Sequence, residues 1–565
     1  LSIRALFILA YDLLLLLAAP YVWWRRAHAC PRGAWLRIDL DGPVAEIAPR
    51  AAPWELRPRA ASVEELRALA DLTLADARVE GWLVVIRSFG GSTARATAIR
   101  RLFGALRAGG KRVVVYLPEG GGTRVTYLSV AADRILVGPF AHVEPLGFAV
   151  EAPYFKGALD AIGVEPEVLA RGRYKSAGER LVSRQMSAEQ REQLEALLDV
   201  AHAELLEALA EGRGATRERA ERWVNDGPWT ARAAVEQGLV DAEAYADELP
   251  ARLQPAREGP APIVPARRYA RRRRRALRWP GQRPHVAVLS LEGPIVQAPP
   301  WPGLPVATEA AFARQIERAR ADRAVRGVVL LVDSPGGSVR VSDRMLHELR
   351  RLAAEKPVVA CLDDVAASGG YLVALGAHAI VAEATTITGS IGVVAVRFAV
   401  GALLERAGVG IEVVKRGVRA DLSSVARPLT DGERAALERE LDEVYDAFVD
   451  EVARSRHLDP QTVRLHAEGR VYSGRAALER GLIDALGGFA RALAMVRERI
   501  GPAGAHLEVA ALPRPWRIRD VVAPAPLAAF GGDVVLRTLA LALAARSERV
   551  WLWREVELAE RGGTP

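Results

Sequence analysis

The same region occurs twice in this chain of 565 residues, and that repetition limits what it can fold into more than any other feature. KRVVVYLPEGGGTRVTYLSVAADRILV from Lys111 aligns with KPVVACLDDVAASGGYLVALGAHAIVA from Lys356, a spacing of 245 residues. The same spacing carries GRYKSAGER onto GVRADLSSV, so Lys175 falls opposite Ala420 and Ser368 opposite Thr123. Leu40-Asp41-Gly42-Pro43-Val44 recurs as Leu291-Glu292-Gly293-Pro294-Ile295, and the run ending Gly90-Gly91-Ser92 recurs as the run ending Gly336-Gly337-Ser338. Solenoid repeats return every 20 to 50 residues or so; a period this long means two homologous domains in tandem.

Within each copy, short apolar runs alternate with helical periods. WLRIDL, GWLVVIRSF and KRVVVYL read as strands in the first, and HVAVLSLEG, GVVLLVDS, KPVVACL and AIVAEA in the second. SVEELRALADLTLAD and TARATAIRRLFGALRAG carry amphipathic helical spacing between them. This alternation predicts an α/β fold with βα units around a largely parallel sheet. Long helices opening at Ser187 and Thr430 in the capping-box manner close the two copies. The expected organisation is an N-terminal anchor over 1–30, a first repeat over 33–255, a Pro/Arg-rich linker over 256–284, a second repeat over 285–500 and a C-terminal extension over 501–565.

From Ala5 to Trp24 the chain is apolar except for Asp12, about the length needed to cross a bilayer. Tyr21, Trp23 and Trp24 followed by Arg25 and Arg26 fit an interfacial belt. The stretch reads as an uncleaved transmembrane helix, with a buried core helix as the other reading. The net charge of +8 allows nucleic acid or an anionic membrane as partner. No groove of interleaved aromatics points to nucleic acid. The arginine run from Arg271 to Arg275 reads as part of a solvated spacer, with adhesion to anionic lipid as the alternative. The apolar tail over 534–545 contains Arg537 and is short for a second span, so a packed helix is expected there. Two cysteines, Cys30 and Cys361, are too few for a disulfide framework.

Ser368 sits in Ala-Ala-Ser-Gly-Gly-Tyr, where the glycines allow a tight entry into a helix and the helix start offers free amides to a developing oxyanion. A serine hydroxyl needs a base. Of nine histidines none lies between His378 and His457, where a Ser-His-Asp site would want one. Only five of the 77 basic residues are lysines, and lysine, unlike arginine, loses its proton when desolvated. Working near neutrality requires a shift of about 3 units, about 4 kcal/mol, which burial and a hydroxyl partner can supply. Lys175 is the candidate base, and Ser390 in Thr-Gly-Ser-Ile-Gly the candidate hydroxyl. The turn Asp333-Ser334-Pro335-Gly336-Gly337 follows a strand and could add a second oxyanion amide; its counterpart has Arg87 in place of the aspartate.

DSPGGS, AASGGY, TGSIG and GRYKS together resemble the signal peptide peptidase A family in its long, duplicated form, membrane-bound Ser/Lys proteases of peptidase family S49 in the Clp protease/crotonase superfamily. The resemblance implies two tandem Clp protease/crotonase-like βα-repeat domains behind a transmembrane helix. It implies Ser368 as nucleophile, Lys175 as general base, Ser390 as the residue positioning the lysine, and Gly336 and Gly369 as oxyanion-hole amides. It further implies hydrophobic peptides such as cleaved signal peptides as substrates, no metal or cofactor, and no nucleic acid. A tetramer-like homo-oligomeric ring at the bacterial inner membrane, with extracytoplasmic catalytic domains, belongs to the same expectation. Residues alone leave open an acyl-CoA hydratase or thioesterase of the crotonase fold, and a catalytically inactive membrane scaffold. They also leave open whether Lys175 meets Ser368 within one chain or across two.

Overall fold

Runs of Val, Leu and Ile bounded by polar turns form the central strands. A computed structural model describes residues 19–47 apart from 22, 61–254, 259–273, 284–299, 304–511 and, as backbone, 551–552. The chain divides into two compact units: one holds the residues up to Ala149 together with Ala201–Arg283, the other Val150–Val200 and the second repeat from Pro284 onward.

In the first unit a parallel sheet runs in the order Ala242–Glu243, Arg134–Val137, Arg112–Leu117, Val79–Ile86, Ala34–Leu40 and Ile263–Pro265. The second unit repeats it strand for strand: Ala485–Leu486, Ala379–Ala382, Val358–Ala367, Val325–Ser334, His285–Glu292 and Glu508–Ala511, again parallel. Each sheet buries both faces under helices, which is why its strands read as unbroken apolar runs. The Gly-Gly-Ser motifs have a local purpose: Ser92 and Ser338 are the N-caps of helices Thr93–Ala108 and Val339–Ala353, their hydroxyls accepting from the amides of Arg95 and Val341. The helix over Asp431–Arg456 carries the expected capping box at Thr430 and Glu433.

The copies part company at one strand. Val358–Ala367 is continuous, and its far end, Val365–Ala367, pairs with Ile387–Gly389 just before Ser368. In the first copy Pro118 and Glu119 interrupt the equivalent strand, leaving Gly120–Gly122 as a separate piece on His142–Glu144.

Part of the stretch expected to be linker is folded. Ile263–Pro265 forms the edge strand on Ala34–Leu40, the place that Glu508–Ala511, from the C-terminal extension, takes in the second unit. The following helix, Ala266–Arg273, buries Tyr269 completely, its hydroxyl donating to the Leu72 carbonyl at 3.1 Å and to Asp76 Oδ2 at 3.0 Å. One buried aromatic on an otherwise arginine-covered helix is enough to seat it, although the arginines dominate its composition. No helix among the described residues is long and apolar enough to cross a membrane, so the expected N-terminal span finds no support in the structure. Its residues 5–18 and 22, the tail over 534–545, and Arg274 and Arg275 lie outside the described residues. Replacing Tyr269 by Ala should cost the first unit about 3–5 kcal/mol. A thermal-melting midpoint unchanged from wild type would show that the helix is not anchored this way.

Candidate active site

The second unit assembles the site from three segments that are far apart in sequence. The first is the strand–turn–helix around Ser368. Ser368 is the N-cap of the short helix Gly369–Ala374 and adopts φ 55°, ψ −117°, a conformation that costs a non-glycine residue about 1–3 kcal/mol. Its backbone is held on both sides, the N–H donating to the Gly389 carbonyl at 2.7 Å and the carbonyl accepting from Leu372 N–H at 2.8 Å. Ser390 is also left-handed, φ 54°, with its N–H on the Arg470 carbonyl at 2.7 Å. Two adjoining loops are thus bent so that both hydroxyls reach one point.

The third segment comes from the first repeat. Glu165–Arg171 leaves its own copy and pairs antiparallel with Val393–Ala399 over seven residues, from Val393 opposite Arg171 to Ala399 opposite Glu165. Buried Glu167 fixes that strand by accepting from Arg434 at 2.8 Å and the Leu429 amide at 3.1 Å, with the Arg397 guanidinium ion-paired 3.1 Å away. Arg171 bonds to Asp442 and lies 3.9 Å from Glu438. After Gly172, at φ 106°, the chain turns inward, with Tyr174 N–H on the Glu468 carbonyl at 2.7 Å, and delivers Lys175.

Lys175 Nζ lies 2.8 Å from Ser368 Oγ, 3.0 Å from Ser390 Oγ and 3.0 Å from the Ser390 carbonyl. All three residues are buried and belong to one unit of one chain, so the contact is made without a second copy. A neutral amine has two N–H donors and one lone pair. Donating to the two Ser390 oxygens leaves the lone pair for the Ser368 hydroxyl proton. Burial, with no carboxylate at the amine to offset it, pulls the Lys175 pKa down to about 7. The folded state therefore holds fewer protons than the unfolded chain from about pH 7 up to the ordinary lysine range; the cost of burying this group is full below about pH 7 and fades as pH rises.

The candidate oxyanion glycines lie side by side. A Cβ on Gly369 would stand 3.3 Å from Gly336 Cα and 2.4 Å from Ser342 Oγ, so only glycine allows this approach. As the first helical residue, Gly369 has an amide with no acceptor inside its helix. The Gly336 amide is engaged, donating to Ser334 Oγ at 3.2 Å. No histidine hydrogen-bonds to Ser368 among the described residues. In the first copy Thr123 donates to the Gly147 carbonyl at 3.1 Å, and Ala420, opposite Lys175, is exposed. Gly469 is a participant that sequence reasoning missed. At φ 71°, a Cβ there would lie 2.5 Å from Lys175 Cβ, so the glycine makes the room in which the lysine stands. No metal-binding group of His, Cys, Asp or Glu occurs among the described residues.

The sequence profile of peptidase family S49 matches residues 105–258 and 350–501. Serine protease SPPA, chloroplastic, from Arabidopsis thaliana is 33% identical over 82% of this chain and 70% of that protein. Protease 4 from Haemophilus influenzae is 28% identical over 81% of this chain and 78% of its own length. A putative signal peptide peptidase SppA from Enterococcus faecium is 35% identical over 31% of this chain and 52% of its own.

Gly469→Ala should displace Lys175 and lower peptidase turnover about 100-fold, the scale of an ångström-sized misplacement, with circular dichroism unchanged. Full turnover in that variant would mean that the lysine position does not matter to the chemistry.

Proposed function

From the premise that this chain belongs to peptidase family S49 and is a serine protease, we propose that Ser368 and Lys175 are its catalytic dyad, set in a Clp protease/crotonase-like pair of repeats. The observation that carries this is the 2.8 Å contact between a desolvated amine and a buried, strained serine. Neutral Lys175 takes the Ser368 proton as Oγ adds to the scissile carbonyl. The resulting ammonium then protonates the leaving amine as the acyl-enzyme forms. Water, deprotonated by the same lysine, attacks the ester; collapse of that intermediate returns Ser368 and releases the new carboxylate. Ser390 holds the amine through its carbonyl and hydroxyl and so aims the lone pair.

Gly369 N–H is the ready oxyanion donor. Gly336 becomes the second by exchanging its 3.2 Å bond to Ser334 for the substrate oxygen. The substrates are extended hydrophobic peptides, among them cleaved signal peptides, and the enzyme works at a bacterial inner membrane with its repeats on the extracytoplasmic side. Support comes from the apolar stretch over residues 5–24 and the kinship to a protein named signal peptide peptidase. A hydratase or thioesterase would leave the Lys175–Ser368 contact without a task.

Ser368→Ala and Lys175→Ala should each lower kcat on a fluorogenic hydrophobic peptide by about a thousandfold or more while the protein stays folded. Wild-type kcat/KM should fall with pH below about 7, where the amine is protonated, and level off above it. Unimpaired turnover in either variant, or a flat profile between pH 5.5 and 9, would rule out this dyad.

A further inference from the structure

The opening turns of helix Ala188–Arg213 belong to the unit that holds the site. They bury one face, Gln190, Gln193, Leu194 and Leu197, at the three- and four-residue spacing of a helix stripe. An apolar side chain is the ordinary occupant of such a stripe; a glutamine 3% exposed, as Gln193 is, has to find partners inside the protein. It finds three. Nε2 donates to the Tyr174 carbonyl at 3.2 Å and to Ser176 Oγ at 3.2 Å, and Oε1 accepts from the Val471 N–H at 3.2 Å. A peptide carbonyl only accepts and a peptide N–H only donates, so the side-chain amide fits in one orientation.

Those partners are the residues on either side of the lysine and the strand behind both serines. Tyr174 and Ser176 flank Lys175. Val471 stands opposite Gly389 in the antiparallel ladder of Val471–Ser473 with Ile387–Gly389. The Gly389 carbonyl holds the Ser368 N–H, and the carbonyl of Arg470, the residue before Val471, holds the Ser390 N–H, each at 2.7 Å. One side chain therefore spans the turn that sets the amine and the strands that set the two hydroxyls. The same segments also meet at the surface, where Arg470 pairs with Glu192 at 2.9 Å and covers the Tyr174 ring at 4.6 Å. That pair stands partly in water, where an ion pair constrains little, and Gln193 is the buried tie. Duplication makes the same association. With the long helices aligned at their caps, Ser187 with Thr430, Gln193 falls opposite Ala436, as Lys175 falls opposite Ala420. The copy without the lysine is also without the amide.

Resting on the reading of Ser368 and Lys175 as the dyad, we propose that Gln193 is a positioning residue of the peptidase site: its amide fastens the Lys175 turn to the strands under Ser368 and Ser390 and so fixes where the lysine nitrogen stands. It bonds to neither serine and acts through Lys175. With the tie cut, the turn can move off the strands, water reaches the amine, and the lysine recovers part of its ordinary basicity. The loss falls on kcat, because the base is misplaced while the nucleophile stays where its own backbone bonds hold it.

The test is kcat, KM and the pH dependence of kcat/KM for the full chain on a fluorogenic hydrophobic peptide, with circular dichroism and thermal melting to follow the fold. Gln193→Met keeps the volume and removes the hydrogen bonds; it should lower kcat about 10- to 100-fold with KM changed less than about twofold. The acid limb of kcat/KM should move up by about one pH unit from its wild-type place near 7. Gln193→Glu, which keeps an acceptor for Val471, should move kcat and the limb in the same directions, and it serves in place of the methionine variant if that one does not fold. Leu197→Ala, on the same helix face and packed with Ile387 and Val471, is the control for packing alone: its melting midpoint should fall while the limb stays in place. Wild-type kcat and an unmoved limb in a folded Gln193 variant, or an equal limb shift in Leu197→Ala, would overturn the proposal. Lys175→Ala separates this role from the dyad. An inactive Lys175→Ala beside an unaffected Gln193→Met removes only the role of Gln193, whereas full turnover in Lys175→Ala removes both.

Discussion

One amine held out of water determines most of what surrounds it. Lys175 can be buried beside neutral oxygens only if it gives up its proton for much of the physiological range, and every nearby feature serves that state. The hydroxyl and carbonyl of Ser390 use the two hydrogens of the neutral form, and Gly469 opens the space for the side-chain stem. The strand that brings the lysine is clamped by Glu167 and Arg171, so ion pairs hold a group that is itself neutral above about pH 7.

The strain at Ser368 belongs to the same design. A serine at positive φ survives because its amide and its carbonyl are both spoken for, by Gly389 and Leu372. The bend sets the hydroxyl on the lysine and leaves the amide of Gly369, the first of its helix, without an acceptor in that helix. In the proposed mechanism, nucleophile and oxyanion donor are adjacent residues with opposite tasks, which calls for a glycine after the serine and the close approach to Gly336. The first copy keeps Gly90 and Gly91 opposite Gly336 and Gly337, but it has Arg124 opposite Gly369, breaks the supporting strand at Pro118, and ties its threonine hydroxyl to a carbonyl.

Much of this could be read from the residues. Two copies of one motif series gave the doubled α/β architecture, and apolar runs located the parallel strands, because a strand buried on both faces announces itself in composition. Ser368, Lys175 and Ser390 were singled out as candidates, and the structure places Lys175 Nζ 2.8 Å from the Ser368 hydroxyl and 3.0 Å from that of Ser390. What stayed hidden is non-local. EPEVLAR reads as a strand, but nothing in a strand's own pattern says which sheet will receive it, so whether the dyad forms within a chain was open. Ile263–Pro265 is three residues with a proline among arginines, a pattern indistinguishable from a loop until its neighbour Ala34–Leu40 is known. Gly469 gave no signal, since its role depends on a side chain nearly 300 residues away.

The crossing of Glu165–Arg171 from one repeat to the ladder of the other has a bearing on how such a gene can change. Neither half can be exchanged, split off or redesigned alone, because the amine-bearing strand of one and the receiving strand and buttressing glycine of the other form a matched set. Recombinants between relatives should keep their chemistry only when residues 165–175 travel with 390–399 and 468–470, whatever else is swapped. With the proposed base on one repeat and the proposed nucleophile on the other, a repeat parted from its counterpart holds only half of the dyad.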